Sequence, residues 1–192
     1  MADDRSQSFS GNRFMSTAPQ YRPHYTVDDY QHWEGNWELW SGVAVAMAPS
    51  PFGRYARLVA QLAKVLGVAI DSSNCDSEVL VEIDWIVSND TVLRPDVTVV
   101  CGPAPERHVE VVPALVVEIL SSGTRERDQT FKKNLYQQEG VLWYLIVDPD
   151  AESLLALRLN DGVYQSIPHT ESLKIDLCDD CSLSVQVGRL FR

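Results

Sequence analysis

Apolar residues recur along this chain at two spacings, one typical of helices and one typical of strands. From Arg54 to Ile70 they fall three and four positions apart, which predicts an amphipathic helix that covers one side of a sheet. A second helix is predicted from Arg125 to Glu139, with Thr124 as its N-cap and Gly140 closing its C-terminus. A capping box formed by Thr26 and Asp29 predicts a short helix near the start of the ordered chain.

Short runs rich in β-branched residues, bounded by turn residues, predict the strands. Trp37 to Met47 is expected to form two short strands hinged at Ser41-Gly42. The other predicted strands are Glu78 to Val87, Val97 to Cys101, Ala114 to Leu120, Val141 to Val147, a hairpin of Leu154 to Leu159 with Val163 to Ile167, and extended chain from Leu173 to Phe191.

The order of these elements favours an α/β (α+β) fold. Helices and strands that alternate along one chain are typical of a mixed central sheet with helices packed on it. We expect residues 25–192 to form one domain, with a C-terminal β-hairpin extension. Residues 1–24 are polar and have no apolar core segment, so we expect a disordered tail rather than a secretory signal.

Composition is that of a globular protein and excludes a protein that crosses the membrane with helices. Of the 192 residues, 45% are hydrophobic and 22% are charged. No apolar run approaches the roughly 18 residues of a membrane span, so no membrane association is expected. The formal net charge of −11 counts against simple electrostatic binding of nucleic acid, although a bound divalent cation would change the local sign of the potential.

The four cysteines do not suggest a disulfide framework in the sequence. Cys75, Cys101, Cys178 and Cys181 are unaccompanied by a secretion signal, so we expect free thiols in a reducing cytoplasm. Cys178 and Cys181 have the spacing of a CxxC motif, but a zinc site would need Cys75 and Cys101, which are distant in the sequence.

Glu118 is the most informative single residue. It lies inside the run Ala114-Leu115-Val116-Val117-Glu118-Ile119-Leu120, in which every other side chain is apolar. A carboxylate buried there must be protonated, paired or bound to a metal. An edge position or a simple ion pair is the alternative to a functional site.

Asp96 is the natural companion of Glu118. Arg94-Pro95-Asp96 leads directly into the buried strand Val97 to Cys101. Such a Pro-Asp step is also common turn chemistry. On two neighbouring strands, however, Asp96 and Glu118 could converge on one hard divalent cation such as Mg²⁺ or Mn²⁺.

The helix after Glu118 supplies a candidate lysine. Asp128, Lys132 and Tyr136 are spaced one turn apart and form a polar line along the flank of the predicted helix. Lys132 could therefore reach a site near Glu118. The alternative is a surface ion pair between Asp128 and Lys132.

Together these motifs resemble a large prokaryotic family of restriction-endonuclease-like proteins in the PD-(D/E)xK superfamily. The resemblance covers most of the chain from Thr26 onward. It is carried by Glu38-Leu39-Trp40-Ser41-Gly42, Met47-Ala48-Pro49, Arg94-Pro95-Asp96, Val117-Glu118-Ile119-Leu120-Ser121, Asp128 with Lys132 and Tyr136, Gly140-Val141, and Tyr144-Leu145-Ile146-Val147-Asp148-Pro149.

The resemblance implies a restriction-endonuclease-like core and a metal-dependent endonuclease acting on DNA. Asp96 and Glu118 would bind Mg²⁺ (or Mn²⁺), and Glu38 would add a ligand. The superfamily lysine two residues after the Glu is replaced here by Leu120, so Lys132 is the candidate for a displaced catalytic lysine. A histidine that the family often has at the start of the first long helix is missing from Phe52-Gly53-Arg54-Tyr55.

Two other functions remain open from the sequence. Leu120 at the lysine position and the acidic charge are compatible with a catalytically degenerate module that binds a partner. A metal-dependent hydrolase of small phosphate esters would use the same carboxylates. A homodimer is expected for an enzyme that cuts both DNA strands, because each strand needs an active site.

Overall fold

The computed structural model describes residues 22–47, 53–178 and 181–192. The predicted tail, except for residues 22–24, and the Ala48-Pro49 part of the family motif lie outside these ranges. Within them, no helix is both long and apolar enough to cross a membrane.

The N-terminal part forms a short helix and a small antiparallel sheet. Helix α1 (Val27–Tyr30) has the predicted capping box, in which Thr26 and Asp29 bond each other's backbone N–H groups. The strands of the sheet are β1 (Trp37–Trp40), β2 (Val43–Ala46), β4 (Trp85–Ser88) and β5 (Thr91–Leu93). They lie in the order β2-β1-β5-β4.

A six-stranded mixed sheet forms the centre of the molecule. Its strands are β3 (Ser77–Val81), β6 (Val97–Cys101), β7 (Leu115–Ile119), β8 (Trp143–Asp148), β9 (Ser153–Asn160) and β10 (Val163–Ser166). They lie in the order β10-β9-β8-β7-β6-β3, in which β7 and β8 are parallel and the other neighbouring pairs are antiparallel. The predicted mixed sheet is therefore confirmed.

The two faces of the central sheet are buried by different elements. Helix α2 (Gly53–Ser73) packs its apolar stripe on one face, together with the hairpin of β11 (Ser172–Asp176) and β12 (Ser182–Gln186). The other face packs against Trp85 and against Tyr136 from the second helical segment. Glu118 projects toward this second face because side chains alternate along β7 and Glu118 is two residues after Val116, which packs on that face.

The second helical segment covers the predicted range but contains a wider turn. Helix α3 (Arg125–Arg127) continues into a π-helical turn (Asp128–Lys132, the π-turn) and then into α4 (Lys133–Gln138). Thr124 is the N-cap residue as predicted, but its side chain makes no capping hydrogen bond, because its hydroxyl accepts from the Ser121 backbone N–H. Gly140 closes the segment as predicted, with a φ of 85° that favours glycine.

The single strand predicted from Glu78 to Val87 is also wrong, since the chain forms two strands in different sheets. Glu82 adopts a φ of 48°, which breaks the extended conformation between β3 and β4. The hairpin of β9 and β10 is confirmed. Its two turn residues, Asp161 and Gly162, have φ values of 49° and 77°.

All four cysteines are paired, which corrects the expectation of free thiols. Cys75 bonds Cys181, and Cys101 bonds Cys178. The pairs form because the β11–β12 hairpin packs beside α2 and brings its CxxC segment to the ends of α2 and β6. A 3₁₀ turn (Val187–Arg189) follows β12.

Candidate active site

Glu118 lies in the middle of the central sheet and is only 3% exposed. Its strand β7 pairs with β6 on one side and β8 on the other, so solvent does not reach it from the sheet edges. One oxygen, Oε1, accepts hydrogen bonds from Lys132 Nζ at 2.9 Å and from the Tyr136 hydroxyl at 2.6 Å. Both donors come from the second helical segment.

Lys132 is buried and bridges two carboxylates. Its Nζ is 2.9 Å from Glu118 Oε1 and 2.9 Å from Glu38 Oε1. The predicted alternative of an exposed pair with Asp128 does not hold, because Lys132 is 4% exposed and its ammonium group contacts the two glutamates. The lysine therefore reaches Glu118 from the second helical segment.

Glu38 is held by three donors in addition to burial. Its Oε1 accepts from the Arg94 backbone N–H at 2.8 Å as well as from Lys132, and its Oε2 accepts from Trp40 Nε1 at 3.1 Å. It comes from strand β1 of the small sheet. Glu38 thus connects the two sheets through the ammonium group of Lys132.

Asp96 lies beside Glu118 at the start of β6. The β6–β7 register pairs Val97 with Val117, and one further step sets Asp96 opposite Glu118. Asp96 Oδ1 accepts from the Tyr55 hydroxyl at 2.6 Å, and Oδ2 accepts from the Ile119 backbone N–H at 2.6 Å. The carboxylate is therefore oriented by both α2 and β7.

Asp128 is the first residue of the π-turn, and its side chain is 1% exposed. Among the described residues, neither of its carboxylate oxygens has a hydrogen-bond partner. The Tyr144 hydroxyl donates to its backbone carbonyl at 2.9 Å, which fixes the main chain.

These acidic side chains line one cavity of about 290 Å³. The lining contains five carboxylates and three cationic side chains, namely Glu38, Glu82, Asp96, Glu118 and Asp128 with Arg94, Arg127 and Lys132. Arg94 is already paired, because its Nε is 2.7 Å from Asp84 Oδ1. Negative charge is thus in excess within the cavity.

Burial and mutual repulsion perturb the titration of these groups. Burial raises the pKa of Asp96 to about 6, even though the hydrogen bond from Tyr55 opposes the rise. Burial also raises the pKa of Glu118, and the charges of Asp96, Asp128 and Glu38 add to the effect. Burial alone would lower the pKa of Lys132, but the charges of Glu118, Glu38 and Asp128 outweigh it and raise the pKa above its ordinary value.

The structure brings together the four candidate site residues predicted from the sequence: Glu38, Asp96, Glu118 and Lys132 all line this cavity. Within the described ranges, no three His, Cys, Asp or Glu side chains are arranged as a preformed metal site. In this arrangement Lys132 occupies the space between Glu38 and Glu118.

Two cavity residues were missed by the sequence analysis. Tyr55 was assigned only to the apolar stripe of α2, yet its hydroxyl orients Asp96 and lies 3.1 Å from Glu82 Oε1. Arg127 lies with its guanidinium carbon 5.7 Å from the centroid of the Trp40 ring, and its Nε has no hydrogen-bond partner among the described residues. The family's frequent histidine near position 55 was the only signal pointing to Tyr55, and none pointed to Arg127.

A family model described as "Putative restriction endonuclease", Uma2, matches residues 27–186. The chain belongs to the Uma2 family. The match spans both sheets and every residue of the cavity, in agreement with the resemblance carried by the sequence motifs. No curated protein matches the chain.

A solved structure supports the Uma2 fold. It is a protein from Anabaena variabilis ATCC 29413, described as "a putative nuclease belonging to DUF820", and it superposes with a TM-score of 0.69. The sequences are 17% identical, and the match covers 87% of this chain and 97% of that one. At this identity the likeness establishes a shared fold, with a mixed sheet flanked by helices.

Proposed function

We propose that the protein is a metal-dependent endonuclease that hydrolyses phosphodiester bonds of DNA. Asp96 and Glu118 hold Mg²⁺ or Mn²⁺, and Lys132 supplies a fixed positive charge. One observation carries the proposal. In a chain of the Uma2 family that has Leu120 at the superfamily lysine position, Lys132 contacts Glu118 at 2.9 Å.

The chemistry of the cavity suits a hard divalent cation. Its carboxylate oxygens are the donors that Mg²⁺ and Mn²⁺ prefer. Each oxygen of Asp96 accepts a single strong hydrogen bond, which leaves a lone pair on each. On Glu118, Oε1 takes both protein donors, and among the described residues we find no hydrogen bond to Oε2. The excess of negative charge in the cavity also favours the binding of a cation.

Hydrolysis joins a water oxygen to phosphorus and breaks one phosphorus–oxygen ester bond. The attacking water loses a proton, and the departing oxygen gains one from solvent. A bound divalent cation supplies Lewis acidity, which makes a water easier to deprotonate and neutralises charge on the phosphoryl group. Asp96 and Glu118 provide the negative charge that holds the cation, while Tyr55 and Tyr136 keep the two carboxylates oriented.

Lys132 acts in this account as a cation and not as a base. Its raised pKa keeps the ammonium group protonated near neutral pH. Positive charge at this point stabilises the extra negative charge that develops on the phosphoryl oxygens. Glu38 was predicted as a metal ligand, but its contacts with Lys132, Arg94 and Trp40 favour a role in positioning Lys132.

Arg127 is the residue best suited to contact a phosphate of the substrate. Its guanidinium group makes no hydrogen bond to the described residues and stacks on Trp40, which itself stacks on Phe131 at 4.3 Å between ring centroids. A planar, permanently charged guanidinium group matches the geometry of a phosphate group.

We further propose a homodimer, because cleavage of both strands requires two such cavities.

The proposal is tested by incubating supercoiled plasmid with the purified protein in Mg²⁺, in Mn²⁺ and in EDTA. We expect nicked or linear DNA with either cation and none with EDTA. Turnover of bis(p-nitrophenyl) phosphate without any attack on the plasmid would favour the small-ester hydrolase. Absence of both activities, together with absence of calorimetric metal binding, would favour the degenerate binding module.

A further inference from the structure

Asp128 is a buried acidic residue at the start of the π-turn. It is 1% exposed, and neither carboxylate oxygen has a hydrogen-bond partner among the described residues. Buried polar groups in folded proteins are almost always satisfied, and an exception is commonly explained by a bound water or ion. The absence of a partner therefore points to a ligand rather than to a structural role.

The carboxylate belongs to the same cavity as the two proposed metal ligands. Asp128 lines it together with Asp96 and Glu118. Glu118 and Asp128 are 3% and 1% exposed. A divalent cation among the three carboxylates would balance the excess of negative charge in the cavity.

The backbone holds Asp128 in this position. The residue begins the π-turn, and wide turns of this kind inside α-helices are frequently found at functional sites. The hydroxyl of the buried Tyr144 fixes its carbonyl at 2.9 Å. The ammonium group of the lysine one turn away contacts Glu38 and Glu118 rather than Asp128.

We infer that Asp128 is a direct carboxylate ligand of the divalent cation, in addition to Asp96 and Glu118. This inference rests on the proposed metal site and adds a donor that neither the Asp96 motif nor the Glu118 strand supplies. It gives the site carboxylates from three separate elements, namely the start of β6, strand β7 and the π-turn.

The experiment uses Eu³⁺ as a luminescent probe of the same oxygen site and counts the waters on the bound ion from its decay rates in H₂O and D₂O. The variants are Asp128→Asn and, as a matched control, Glu126→Gln, which removes one exposed charge from the same helical segment. We expect one additional bound water in Asp128→Asn and an unchanged number in the control. Calorimetric affinity for Mn²⁺ should fall in Asp128→Asn by at least the roughly tenfold that changes around metal ligands cause.

The possible outcomes separate this inference from the proposed function. Metal binding by the wild type with the same water count in Asp128→Asn would overturn the role of Asp128 and leave the proposed site intact. No binding of Eu³⁺ or Mn²⁺ by the wild type would overturn both. Thermal melting without metal provides the folding check, and we expect Asp128→Asn to melt at a higher temperature than the wild type because a buried charge is removed.

Discussion

The ammonium group of Lys132 lies between two buried carboxylates, and this environment fixes both its charge and its position. Replacement with methionine keeps the length of the side chain but removes the charge. It also leaves Glu38 and Glu118 without their shared cation. The effect on catalysis can be separated from the effect on folding by using the neighbouring lysine as a control.

We predict that Lys132→Met lowers the rate of DNA cleavage by about 10²- to 10³-fold, the loss typical of removing one donor that stabilises developing charge. Unfolding should become easier by roughly 3–5 kcal/mol, since a buried ion pair loses one partner. Cleavage rates and denaturant unfolding would be measured beside Lys133→Met. Equal losses in both variants would show that the position of Lys132 is not special.

The titration of Asp96 predicts how stability depends on pH. Its pKa is about 6 in the folded protein and about 3.8 in the unfolded chain, so the folded state holds a proton that the unfolded state has released between these values. The metal-free protein should therefore lose stability as pH rises from about 4 to about 6. Above this window the Asp96 contribution should be constant.

Urea unfolding at several pH values, with wild type and Asp96→Asn, tests this dependence. In Asp96→Asn, the free energy of unfolding should lack the part of the pH dependence that is due to Asp96. Mn²⁺ should oppose the loss of stability at neutral pH, because the ionised carboxylate binds the cation. A wild-type stability that rises with pH in this window, with no such rise in Asp96→Asn, would contradict a raised pKa for Asp96.

Much of the cavity could be predicted residue by residue from the sequence. Glu118 stood out as the lone acid in an apolar strand, and Lys132 followed from helical spacing. Tyr55 could not be found in this way, because its ring fits the apolar stripe of α2 while its hydroxyl bonds an aspartate 41 positions away. Arg127 could not be identified from the sequence either, because its position depends on stacking against Trp40. That contact joins two separate elements, and local residue spacing does not predict it.

At the level of elements, the π-turn determines which side chains of the second helical segment face the cavity. The sequence pattern predicted the extent of the segment but not the turn, since three- and four-residue spacing describes an ordinary α-helix. The two strands at Ser77–Val81 and Trp85–Ser88 were likewise merged in the prediction. Their separation depends on the positive φ of Glu82, which apolar spacing does not reveal.

We predict that deletion of Gln129 abolishes cleavage while most of the helical signal remains. Gln129 is exposed within the π-turn, and removing one residue would rotate Asp128 by about 100° relative to Lys132. Circular dichroism would report on helix content and plasmid nicking on activity. The matched substitution Gln129→Ala should cleave at the wild-type rate, and a fully active deletion variant would exclude a role for the π-turn.

At the level of the whole molecule, two disulfides fasten the C-terminal hairpin to the core. They connect residues 106 and 77 positions apart. The sequence did not predict them because the cysteines are scattered, and only the packing of the β11–β12 hairpin beside α2 brings them together. The central sheet, in contrast, followed from apolar runs that are continuous in the sequence.

We predict that reduction lowers the melting temperature of the protein. In the chain-entropy description, each bond that closes a loop of this size stabilises the fold by roughly 4–5 kcal/mol. Melting curves with and without a phosphine reductant would measure the shift. The double variant Cys75→Ser with Cys101→Ser should melt at the lower temperature in both conditions, and a wild-type curve that reductant leaves unchanged would contradict the prediction.

The central claim is that the cavity around Glu118 and Asp96 is the active site of a nuclease. The most direct measurement compares plasmid cleavage in Mg²⁺ by the wild type, by Asp96→Asn and Glu118→Gln, and by Glu110→Gln as a control at an exposed position. Cleavage is expected from the wild type and the control alone, with all four proteins folded. Wild-type rates in Asp96→Asn or Glu118→Gln would contradict it.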